Sequence, residues 1–242
     1  MIENDVLVTT KYGRQPAFAV CPSTGGPFPA IILYMDAPGF RDELKDHARR
    51  IAKHGYYCLL PDLYYRLGTI RFDVPRRSDP MSVVIRGAMT SLTLAAVADD
   101  TAGMLAFLEA QESVKPGGVG CVGHCMSGRF AVMAAARFPQ VRAAASLYGV
   151  EMVTDAADSP HLALSGTKGE LYLAFAESDP AVPASVLPVL KGALDKAKAK
   201  YVMETVPGTQ HGYCFAARTD YNPAAAEATW TKLFALWQRN LK

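Results

Sequence analysis

The residue best placed for chemistry is Cys125, in the run Gly117-Gly-Val-Gly-Cys-Val-Gly-His-Cys-Met-Ser-Gly-Arg129. Gly123 lies two residues before it, and Ser127 and Gly128 follow it. The spacing Gly-x-nucleophile-x-small suits a strand that turns sharply into a helix and leaves the middle side chain exposed at the turn. Small residues are needed because strand and helix nearly touch, and a Cβ there would clash. The turn also sets sulfur at a helix N-terminus, where free N–H groups and the dipole favour a thiolate. Taken alone, the pattern suits a buried structural cysteine even better than a nucleophile.

Three further polar residues change that balance. Asp36 follows the apolar run Ala30–Tyr34, Asp179 follows Leu171–Ala176, and His211 follows Tyr201–Val206. Each has an ordinary reading: Asp36 and Asp179 as helix caps, His211 as a turn residue. All of them stand just past buried strands, and with Cys125 they run in the order nucleophile, acid, histidine of α/β-hydrolases. The chemistry fits. Sulfur attacks an acyl carbon, imidazole carries the proton, and a carboxylate fixes the imidazole tautomer and stabilises its charged form. Glu177 is the substitute acid if Asp179 is not the partner. The backbone N–H groups of Met126 and Ala37 are the expected oxyanion hole.

These residues need a parallel sheet that carries its strand ends to one edge. Short apolar runs at 30–34, 56–60, 119–122, 143–148, 171–176 and 201–206 alternate with helical patterns at 41–54, 92–111, 126–138, 183–198 and 224–241. This predicts an α/β fold, a mostly parallel sheet with helices on both faces, opened by an antiparallel hairpin of Val6–Thr10 and Pro16–Val20. One domain spanning 1–242 is expected, with no internal repeat. Residues 64–91 are irregular but rich in apolar side chains and read as a cap over a pocket, or equally as a surface excursion packed for stability, with a short helix from Met81 to Met89.

Composition narrows the function. The charge is +2 over 242 residues, half of them hydrophobic, with no basic block for nucleic acid. No apolar run approaches ~18 residues, so no membrane span is expected. The start, Met1-Ile-Glu-Asn-Asp-Val, lacks the charged and apolar regions of a signal peptide. Five scattered cysteines, at 21, 58, 121, 125 and 214, suit a reducing cytoplasm. His124 beside Cys125 is the one close Cys/His pair, and adjacent residues rarely ligate one metal, so no metal site is expected.

Longer motifs give a specific resemblance. Gly123-His-Cys-Met-Ser-Gly128 resembles the elbow Gly-Tyr-Cys-x-Gly-Gly of the dienelactone hydrolase family, with His124 for Tyr and Ser127 for Gly. Pro61-Asp-Leu-Tyr64 with Arg66, Asp179-Pro-Ala-Val-Pro183 and Gly208-Thr-Gln-His211-Gly-Tyr213 resemble other segments of that family. The resemblance covers nearly the whole chain. It implies the α/β-hydrolase fold, a Cys125–His211–Asp179 triad, and hydrolysis of a small enol-lactone or ester through a thioester with no cofactor. It also implies a carboxylate after the first core strand that exchanges a proton with the cysteine. Asp36 stands there in place of the family's longer Glu.

A second departure concerns the substrate. Dienelactone-cleaving members carry an Arg four residues after the catalytic histidine, which grips the substrate carboxylate; here that position is Phe215. Arg86 in the cap is the first candidate to replace it, with Arg76, Arg77 and Arg129 as others. Tyr64, Phe215, Tyr213 and His124 complete the expected substrate-binding set. A general carboxylesterase with an apolar pocket is the second reading, and a non-catalytic binding or thiol-sensing protein the third. The expected partner is a small molecule, acting on a monomer or homodimer.

Overall fold

The computed structural model describes residues 1–242. Eight strands form one sheet in the order β1-β2-β4-β3-β5-β6-β7-β8. The hairpin of β1 (Ile2–Thr10) and β2 (Gly13–Cys21) is antiparallel, and β2 joins β4 (Tyr57–Pro61) antiparallel as well. From β4 through β3 (Ala30–Tyr34), β5 (Val119–His124), β6 (Val141–Leu147), β7 (Glu170–Ser178) and β8 (Lys200–Gln210) every pairing is parallel. Strands β3 to β5 are buried along their whole length, as the continuous apolar runs require.

The helices α1 (Asp42–Lys53), α2 (Asp79–Thr90), α3 (Leu94–Glu109), α4 (Gly128–Arg137), α5 (Val186–Lys196) and α6 (Pro223–Leu241) connect and cover the strands. Consecutive residues of a strand face opposite sides of its sheet. On β5, a Cβ on Gly120 would meet Leu241 and Trp237 of α6, while the Cys121 thiol points at the Ala131 carbonyl of α4. Helices α1 and α6 lie together on one face, joined by Arg50–Glu227 at 2.6 Å and by the stacked rings of His54 and Phe234. Helices α3 and α4 pack together, and α4 covers the other face.

This order places a topological switch at β3 and β5. From β3 the chain runs to one side, and from β5 to the other, which opens a crevice at their C-terminal ends. The residues 36 and 125 follow those two strands. The expected elements are present, several of them longer than expected: β1 begins at Ile2 instead of Val6 and β2 at Gly13 instead of Pro16. Strand β8 continues through Pro207-Gly208 to Gln210, where a loop was expected. It is the edge strand, so Pro207 removes no bond the sheet needs, and the ladder slips between Ala176 and Ser178 to absorb the extra residues. In the irregular segment, α2 begins at Asp79, capped by Ser78, whose hydroxyl accepts the Met81 N–H at 3.3 Å.

The closest packing lies at the β5–α4 turn. A Cβ on Gly123 would sit 2.0 Å from the Ser127 carbonyl oxygen, and one on Gly128 would sit 2.6 Å from the Gly149 Cα. Gly123→Ala should therefore cost about 2–3 kcal/mol and lower the melting temperature by roughly 5–10 °C. Gly192→Ala, in α5 with open space around the added methyl, should be neutral or stabilising by up to about 1 kcal/mol. Thermal unfolding of both variants checks the difference; equal melting temperatures would show that the turn yields.

Candidate active site

The four strand-end residues are all where the parallel sheet must carry them. Cys125 opens a single 3-10 turn, Cys125–Ser127, that leads into α4. Its φ is 55°, the left-handed region that a non-glycine residue adopts only under constraint. Three contacts supply the constraint. The Ser127 hydroxyl accepts the His124 N–H at 2.9 Å, and it donates within 3.0 Å of the His124 carbonyl. The Val150 N–H donates to the Cys125 carbonyl at 3.2 Å. Serine at 127, a departure from the resembled motif, thus pins the elbow from inside.

Asp179 follows β7 and is 2% exposed. One of its oxygens accepts the Ala181 N–H at 2.9 Å, and the other is 2.7 Å from Nδ1 of His211. Each Asp179 oxygen thus has its own partner, a local backbone N–H for one and the His211 ring for the other. His211 follows β8, and Gly212 after it takes a φ of 89° where a Cβ would strike the Arg218 guanidinium. Burial opposes the charged imidazole of His211, but bonds to Asp179 and Cys125 outweigh it and push the pKa up to about 9. Tyr148, itself at a φ of 40°, sets its ring edge-on against His211 at 5.2 Å. Cys125, His211 and Asp179 are therefore brought together.

The Pro61-Asp-Leu-Tyr64 segment acts on the loop after β3. The Tyr64 hydroxyl donates to the Ala37 carbonyl at 2.8 Å, and its backbone N–H donates to Asp62 at 3.0 Å. Gly39, at a φ of 81°, lies against the Tyr64 ring. Tyr64 thereby ties the Ala37 carbonyl, in the loop after β3, to the end of β4.

Other expected site residues sit elsewhere. Asp36 is fully buried, and both its oxygens are taken by Arg41, which pairs with one and donates to the other at 3.3 Å; no bond joins Asp36 to Cys125. Tyr64, Phe215, Tyr213 and His124 are each completely buried. As folded they offer a ligand no surface and form the wall behind the site, which corrects their expected role as direct contacts. His124 faces α1 rather than the crevice, because it alternates with the α4-facing Gly123. Its ring lies 5.0 Å from Phe215 and 5.9 Å from His47. Burial pushes both imidazoles down to about 3.

Arg86 is exposed on α2, in a cavity of about 420 Å³ shared with Arg129 and Glu151. Arg129 pairs with Glu151. Arg76 pairs with Asp73 at the surface at 3.5 Å, and Arg77 bonds Ser82 at 3.0 Å. Three residues that the sequence reading did not single out line the back of the site: Arg41, His47 and Tyr148. Arg41 did carry a signal, since a cation just before the first turn of a helix opposes the dipole and calls for another reason to be there.

The cysteines differ in reactivity on these grounds. Burial raises the thiols of Cys21, Cys58, Cys121 and Cys214, the last to about 12. Cys125 has the imidazole of His211 beside it. Iodoacetamide should therefore alkylate Cys125 at least about tenfold faster than any other cysteine, as read by peptide mapping after brief labelling. Equal labelling of Cys21 and Cys125 would contradict it.

Known proteins share this architecture. The family model described as the dienelactone hydrolase family matches residues 16–241. A protein of Synechocystis named "Putative carboxymethylenebutenolidase" is 28% identical over 91% of this chain and 90% of its own. One of Methylorubrum extorquens with the same name is 27% identical over 96% of this chain and 79% of its own. Among solved structures, the "Putative Dienelactone Hydrolase" of Klebsiella pneumoniae superposes with a TM-score of 0.88, at 21% identity and 98% coverage of each chain. The fold is that of an α/β-hydrolase, and the chain belongs to the dienelactone hydrolase family of hydrolases.

Proposed function

We propose that this hydrolase cleaves small enol-lactones or esters through a thioester on Cys125, with His211 as acid–base and Asp179 as its orienting carboxylate. The observation that carries the reading is the 2.7 Å bond between Asp179 and His211 beside a cysteine held at a φ of 55° on the elbow. A structural cysteine needs neither the strained turn nor an oriented imidazole next to it.

The chemistry follows from the placement. His211 holds the sulfur's proton as imidazolium, leaving a thiolate to attack the acyl carbon. The S–C bond forms as the carbonyl π pair moves onto oxygen, and the N–H groups of Met126 and Ala37 receive that oxyanion. Collapse expels the alcohol or enolate, which takes the proton from His211. Water, deprotonated by the now neutral imidazole, then attacks the thioester, and its collapse releases the carboxylic acid and restores the sulfur.

Two substrate classes remain within this reading, and the arginines separate them. No guanidinium stands at residue 215, and Arg41, the one stacked on Phe215 at 4.7 Å, is already paired with Asp36. This favours uncharged esters. A substrate carboxylate would meet Arg86 and Arg129 in their shared cavity instead.

The raised pKa of His211 sets the pH dependence. Its protonated form is favoured in the folded state, so the stability it contributes is full below pH about 6.5 and is lost as pH rises through about 9. Leaving-group protonation should fade over the same upper range. Asp179→Asn removes one cause of the shift, so it should move the alkaline limb of kcat/KM toward lower pH. It should also cost about 10²–10⁴ in rate through the wrong tautomer. Cys125→Ala should abolish turnover of p-nitrophenyl acetate. Near-wild-type turnover by Cys125→Ala would reject the nucleophile, and an unmoved alkaline limb in Asp179→Asn would reject its partner.

A further inference from the structure

Arg41 occupies an unusual position. It is the residue before α1, it makes no cap with its side chain, and it is only 10% exposed. A guanidinium has five N–H donors, and five bonds are present. One terminal nitrogen pairs with Asp36 and donates to the Gly39 carbonyl at 3.2 Å. The other reaches the second Asp36 oxygen at 3.3 Å and Glu43 at 3.1 Å, and Nε reaches Glu43 at 3.3 Å. The face of the group lies on the Phe215 ring at 4.7 Å. Glu43 turns its other oxygen to the Ala217 N–H at 2.9 Å.

These bonds join two loops that meet nowhere else through charge. Asp36 and Gly39 flank Ala37, whose N–H is the oxyanion donor of the proposed mechanism. Phe215 and Ala217 stand four and six residues after His211. With every donor engaged, Arg41 has none left for a substrate. Both Asp36 oxygens bond the Arg41 guanidinium, and neither bonds the Cys125 thiol.

Resting on the triad reading above, we propose that Arg41 is a positioning residue: with Asp36 and Glu43 it braces the oxyanion loop against the histidine loop, and Asp36 does not accept the proton of Cys125. The family resemblance gives the carboxylate at this position a proton-transfer role, and here the geometry assigns it a mechanical one. The brace acts on the placement of an N–H donor, and therefore on the acyl-transfer step, not on the reactivity of the sulfur.

Two rates measured on the same preparations test this: alkylation of Cys125 by iodoacetamide, which needs no oxyanion hole, and burst-phase acylation by p-nitrophenyl acetate, which does. Arg41→Lys and Asp36→Asn should each slow the maximal acylation rate about 10- to 100-fold, with KM for the ester within about threefold and alkylation within about twofold of wild type. Because both act through one link, the double variant should be no slower than the slower single one. An alkylation rate that falls together with acylation in Asp36→Asn would make Asp36 the proton acceptor and overturn the proposal. Acylation within twofold of wild type in Arg41→Lys would overturn it as well. Should the buried variants fail to fold, Glu43→Gln, at the open end of the network, should slow acylation about 3- to 10-fold with alkylation unchanged. Unchanged acylation there would refute the brace. A wild-type enzyme that stays active after Cys125 is alkylated would instead reject the triad reading on which the brace rests.

Discussion

The structure turns on the left-handed backbone at Cys125. For an L-residue that conformation costs about 1–2 kcal/mol, and it persists only because its surroundings leave no alternative. A Cβ on residue 123 would strike the Ser127 carbonyl where β5 turns into α4, and one on residue 128 would strike Ser146 and Gly149 beside it, so both positions call for glycine. Ser127 closes the turn on the side away from the sulfur, and Val150 fastens it from the next loop. A cysteine held in this way points its side chain out of the sheet edge, at the start of a helix, with nothing of its own backbone to shield it. Relaxing the turn by a few tens of degrees would withdraw the sulfur from His211, so the packing of β5 on α4 and the geometry at the sulfur are one constraint.

Around that point the fold divides its labour by face. The α4 side of the sheet fixes the elbow. The α1 and α6 side supplies a layer of rings, the buried His124, Phe215, Tyr148 and Tyr213 with the partly buried His47 stacked on Phe215, that backs the histidine loop. Burial keeps the imidazoles of His47 and His124 neutral, so they act here as aromatic walls, and His211 is the histidine of the site whose pKa is raised. The contrast between His124 and His211 follows from their partners. His211 has a carboxylate at 2.7 Å, whereas neither ring nitrogen of His124 has a hydrogen-bond partner.

The sequence made the sheet legible because β3, β4 and β5 are buried on both faces and read as unbroken apolar runs. The residues just past those runs followed at once, since a parallel sheet leaves them no other edge. Elements at the margin were harder to read. Pro207 and Gly208 look like a loop, and only the edge position of β8 lets a strand pass through them. Substrate contacts were the least legible part. Phe215, Tyr213 and His124 lie near His211 or Cys125 in sequence, and Tyr64 lies in the Pro61–Tyr64 motif, yet all four side chains are turned inward. Arg41 lies 174 residues from Phe215, and no local pattern announces that pairing. It emerges only when α1 and the histidine loop are folded against each other.

The central claim is that acyl groups pass through the sulfur of Cys125. Rapid mixing with p-nitrophenyl acetate, an acid quench within the burst, and intact-protein and peptide mass measurement address it directly. The account predicts a single acetyl adduct, confined to the peptide that contains Cys125, appearing in step with p-nitrophenolate release and decaying at the steady-state turnover rate. Steady release of p-nitrophenolate with Cys125 unmodified at every quench time, or an adduct on another residue that forms and decays at the turnover rate, would contradict it.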